Sequence, residues 1–190
     1  MEELQQRIEE LMKKIPGYAG YAERENRREA DKELREAVAA AFQSQVDRLN
    51  RVQERLLTRG DFATLEVLDK ARTRLSHLAE RLRTASYGYS GFFDRARRLD
   101  LADLDRLYVL DLELANGVER IGDLLAQMGL GERVSELAQR LLDELDRLHR
   151  VFEQRRHLID TFDIDAEEGA EPEETAEEES AGTETPDEEP

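Results

Sequence analysis

The chain has 190 residues, 28 basic and 45 acidic, giving a formal charge of −17, and it contains no cysteine. Fourteen of the acids and none of the bases lie in residues 163–190, so residues 1–162 carry a net charge of −3. A nearly neutral body has little long-range attraction for nucleic acid, and the missing thiols exclude disulfides, thiolate catalysis and zinc–cysteine sites.

The 27 leucines outnumber the 13 isoleucines and valines, which favours helix over strand. No proline stands between Pro16 and Pro172, so long helices meet no such breaker. From Glu2 to Ile15, Leu4, Ile8, Leu11 and Ile15 fall on one stripe of a short amphipathic helix that Pro16-Gly17 ends. A turn over Gly17–Tyr21 leads into a long helix over Ala22–Arg59. Its apolar residues, from Leu34 and Val38 through Val46, Leu49, Val52 and Leu56, advance by threes and fours. Gly60 suits the left-handed position after a helix, and Asp61 suits the cap of the next.

The next helix is expected to reach Ala85, with Phe62, Leu65, Leu68, Leu75, Leu78 and Leu82 inward. Residues 86–93, SYGYSGFF, interrupt the pattern. A further helix is expected to start with Asp100 as its cap and Leu99 packed on Leu104, and to end at Gly129-Leu130-Gly131. It carries apolar residues on two faces, which argues for a homodimer. The last helix is expected over Arg133–Phe162. The pattern predicts an all-α fold: an antiparallel bundle of about four long helices with coiled-coil-like packing. The predicted divisions are 1–21 (amphipathic helix and turn), 22–162 (bundle) and 163–190 (disordered acidic tail).

Six of the eleven aromatic residues sit in the two glycine-containing turns, which echo each other as GYAGY and YGYSGF. An up-and-down path brings both turns to one end of the bundle, with arginines close by. The residues expected to bind a partner there are Tyr18, Tyr21, Arg24, Arg27, Arg28, Tyr87, Tyr89, Phe92, Phe93 and Arg95. The structural alternative is that these rings plug the open end of the bundle. Asp111, set among leucines, is expected to be buried or paired with an arginine of a neighbouring helix.

Catalytic signals are absent. Asp146-x-x-His149 and the reversed His77-x-x-Glu80, with His157 two turns past His149, form an incomplete set for a bundle metal centre. No metal or cofactor is therefore expected. No phosphate loop and no nucleophile–base arrangement is present, and Arg59-Gly60-Asp61 is a helix break rather than an adhesion motif. The opening MEELQQRIEEL has no basic, then apolar, leader pattern, and no apolar run reaches membrane-spanning length. The expected function is a non-enzymatic cytoplasmic scaffold or adaptor that binds another protein, a second copy included. The alternative is a peripheral binder of anionic surfaces, lipid or nucleic acid, regulated by the acidic tail acting as a shield for the arginines.

Overall fold

The computed structural model describes residues 2–15, 18, 20, 21, 27–85, 101–129, 131 and 133–161. Five helices make up the described chain: α1 (Glu2–Lys14), α2 (Arg27–Arg59), α3 (Phe62–Thr84), α4 (Leu101–Gly129) and α5 (Val134–Thr161). The all-α bundle expected from the periodicity is the fold observed. Residues 22–26, the Asp100 cap, the Leu99 packing, Phe162 and the acidic tail lie outside the described residues.

Local chemistry sets the corners. Gly60 adopts φ +73°, and the Asp61 side chain accepts the Thr64 amide at 3.2 Å. This gives α2 a left-handed stop and α3 a cap within two residues. Gly131 at φ +84° turns the chain after α4. Phe62, expected inward, is 69% exposed. It is the first residue of α3, at the tip of the hairpin, where no helix lies beyond it to bury the ring.

The four long helices close a ring. α2 packs on α3 and α4, and α5 packs on α3 and α4, so α2–α5 and α3–α4 are the diagonals. Consecutive helices alternate in direction, but two sides of the ring are parallel. Between α3 and α5, the pairs Arg74–Asp146, His77–His149 and Arg81–Glu153 all keep a separation of 72 residues. Between α4 and α5, Glu113 meets Arg147 and Arg120 meets Glu144, an antiparallel register. The diagonal placement accounts for the connection lengths. Two residues link α2 to α3 and four link α4 to α5, both adjacent corners, whereas 15 residues separate Ala85 from Leu101.

The core follows the stripes: Leu34, Val38, Phe42 and Leu49 of α2, Leu68, Leu75, Leu78 and Leu82 of α3, and Leu141, Leu145, Leu148 and Phe152 of α5 are buried. The second apolar face of α4, read from sequence as surplus, receives α1. Leu11 and Ile15 are buried, Leu4 and Ile8 pack on the same core, and Arg7–Asp105 and Lys14–Glu119 ion pairs flank the contact.

Candidate functional site

One pole of the bundle holds a cluster of charged and phenolic groups inside the core. Arg155 of α5 is fully buried, as are Asp111 of α4 and Tyr21, and Asp31 of α2 is nearly so. Arg155 Nε donates to Asp111 Oδ1 at 2.5 Å, and its Nη2 donates to Asp31 Oδ1 at 2.5 Å. A single guanidinium therefore joins α5 to its neighbour α4 and, across the diagonal, to α2. Its planar fork suits two carboxylates at once. Arg35 closes the other side. Its Nε donates to Asp31 Oδ2 at 2.7 Å, and its Nη1 donates to the Leu82 carbonyl at 3.0 Å, near the end of α3.

The turn after α1 completes the cluster. The Tyr21 hydroxyl donates to Asp111 Oδ2 at 2.8 Å and accepts from Arg155 Nη2 at 3.2 Å. The Tyr21 amide donates to the Tyr108 hydroxyl at 2.6 Å, and Arg27 Nε donates to the Tyr21 carbonyl at 3.2 Å. Tyr18 meets Tyr21 edge-on at 5.8 Å between ring centroids, and Tyr21 lies 5.2 Å from Tyr108. Gly20 allows this approach. It sits at φ +79°, and a Cβ there would come within 2.7 Å of the Tyr108 hydroxyl.

Burial dominates the protonation of the cluster. It pushes the phenols of Tyr18, Tyr21 and Tyr108 above the usual tyrosine value, aided for each by the negative charge of Asp111. Burial also raises the Asp111 carboxyl, against the opposing pull of Arg155. The Tyr18 hydroxyl has no hydrogen-bond partner among the described residues.

Of the sequence-predicted site residues, Tyr18, Tyr21 and Arg27 are inside the pole, where they pack and bond as a plug does. Arg28 is exposed on the first turn of α2. Arg24, Tyr87, Tyr89, Phe92, Phe93 and Arg95 lie outside the described residues. Asp111 is buried and paired with the arginine of a neighbouring helix, as its setting among leucines suggested. Asp31, Arg35, Tyr108 and Arg155 were not singled out. The signal was present, because Leu148, Phe152, Arg155 and Ile159 advance by four, three and four along the α5 seam. Arg27, Asp31, Leu34 and Val38 do the same on α2.

Elsewhere the polar groups are matched in pairs. An open groove of about 510 Å³ between α4 and α5 is lined by Arg120, Arg147 and Glu144 among others. These three residues form a closed ring of ion pairs with Glu113. His77 and His149 stack at 5.8 Å. His149 Nε2 lies 3.1 Å from the Arg74 carbonyl, so this nitrogen carries the hydrogen. Burial lowers the His149 pKa. Among the described residues no three His, Cys, Asp or Glu side chains are placed to hold a metal ion, and no helix is long and apolar enough to cross a membrane. No family model matches the chain, and no curated protein or solved structure shows detectable similarity to it.

Proposed function

We propose that this protein is a non-enzymatic, cytoplasmic helical scaffold or adaptor that binds another protein through an aromatic-basic end to which residues 17–28 and 86–98 contribute. One contact carries the reading. The Arg35 bond to the Leu82 carbonyl ties the first turns of α2 to the last turn of α3, so the start of α2 and the finish of α3, each next to one aromatic-glycine segment in sequence, lie at one end of the bundle. The buried cluster beneath holds α2, α3, α4 and α5 in fixed relation there. Residues 86–98, which follow α3 in sequence, are rich in tyrosine, phenylalanine and arginine, the composition that concentrates binding energy at protein interfaces. Arg28 is exposed at this pole and belongs to the same surface.

The test is a quadruple variant, Tyr87→Ala, Tyr89→Ala, Phe92→Ala and Phe93→Ala, in the full chain. If these rings contact a partner, thermal melting stays unchanged while proteins captured from native extract by the wild type are lost. A lowered melting temperature with an unchanged captured set assigns the rings to the plug and overturns the reading. Capture replaced by salt-sensitive binding of anionic vesicles or nucleic acid assigns the pole to anionic surfaces instead.

A further inference from the structure

We infer that α1, together with Tyr18, Gly20 and Tyr21 after it, forms a strap that opens and closes as a unit over a bundle that stays folded. The strap thereby regulates the pole to which binding is assigned above; the regulatory part rests on that assignment, the strap itself does not. The first observation is the pattern of packing. α2, α3, α4 and α5 close their ring through four interfaces with one another, and α1 packs chiefly on α4. Removing α1 breaks no contact between the other helices.

The second observation is where the charges lie. Every ionic member of the buried cluster stands on the bundle: Arg27, Asp31 and Arg35 on α2, Asp111 on α4, and Arg155 on α5. To this cluster the strap brings neutral groups, the Tyr21 hydroxyl, amide and carbonyl. Release of the strap leaves Arg155 with both carboxylates and Arg35 with Asp31. No ion pair of the core is broken, which is the costly outcome, and Arg27 exchanges the Tyr21 carbonyl for water. The charged contacts that do part, Arg7–Asp105 and Lys14–Glu119, are surface pairs that contribute little. Water entering the opened site hydrates the three charges around Arg155, and this offsets part of the apolar exposure.

The third observation links strap to pole. Arg27, the first residue of α2, donates to the Tyr21 carbonyl, so the seated strap is bonded to the start of α2 at the pole. Opening the strap breaks this bond and uncovers Tyr108 beside Asp111.

Hydrogen exchange followed by mass spectrometry on the full chain tests this without any partner. The expected result is that amides of α1 exchange well before those of α2 and α5, at rates set by a separate opening. Tyr21→Phe removes the bonds to Asp111 and Arg155 alone. It should speed α1 exchange by about tenfold while leaving α2–α5 protection unchanged. If α1 and the bundle exchange together in the wild type, the strap does not exist. Should Tyr21→Phe accelerate exchange evenly throughout, Tyr21 belongs to the global core and the inference is overturned. Strap opening that is present, with partner capture indifferent to Tyr21→Phe, removes the regulatory link and leaves the strap.

Discussion

A guanidinium with no exposed surface is tolerable only because two carboxylates and a phenol surround it. Arg155 reaches both Asp31 and Asp111, so losing it leaves two buried acids without their shared partner. Arg155→Ala should destabilise the protein by about 3–5 kcal/mol, the cost of stranding buried charge, read as a lowered urea midpoint with an unchanged m-value. Arg155→Lys should lose an intermediate amount, because an ammonium cannot present the fork that meets both carboxylates. If Arg155→Ala costs under about 1 kcal/mol, the cluster is wetter than its burial indicates. Tyr21 was found from sequence because it sits in a turn rich in glycine and tyrosine. Arg155 was passed over because an arginine among many arginines reads as surface, and only its place on the α5 seam marks it as interior.

Helix pairs are set by size as well as by charge. α4 and α5 come close at Gly117, where a Cβ would lie 2.3 Å from Leu148 Cδ2 and 2.8 Å from Cδ1. Gly117→Ala should therefore cost about 1–3 kcal/mol from overpacking, despite the better helix propensity of alanine. Gly122 is the internal control. Its nearest neighbour is the mobile end of Arg48, with Nη1 at 3.0 Å, so Gly122→Ala should be neutral or slightly stabilising. Equal losses at the two positions in thermal melts would refute the close approach at Gly117. On α3 and α5 the register is held at the surface by Arg74–Asp146 and by Arg81, which pairs with Glu153 and lies 4.7 Å over the Phe152 ring.

At the scale of the molecule, the phenols at the pole link stability to pH. Tyr18, Tyr21 and Tyr108 all keep their protons in the fold at pH values where an exposed tyrosine loses one. A raised folded value means the native state binds more protons than the unfolded state above the ordinary value of 10.0. Stability is then fully present below pH 10 and falls as pH rises beyond it, by about 1.4 kcal/mol per pH unit for each buried phenol. The contributions of the three phenols add until each folded phenol itself ionises. Phenolate absorbance near 295 nm should rise for these residues together with the loss of helical circular dichroism. Gradual titration of all five tyrosines with the helices intact would contradict their burial.

The helices and most of their inward faces were legible along the chain, because helical periodicity, glycine stops and aspartate caps are local properties of a dozen residues at most. The bundle, the Gly60-Asp61 corner and the turn at Gly131 follow from such signals. Ring order is not local. A stripe of leucine says that a face points inward, not which helix it meets, and the parallel α3–α5 and α2–α4 sides are equally compatible with every stripe. The choice rests on contacts between residues far apart in sequence, such as Arg155 with Asp31 across 124 positions. Only the folded chain brings those charges into one place, and with them it decides that Tyr18 and Tyr21 face the interior. Their side chains suit a surface as readily as a core, and burial was settled by what stood opposite them.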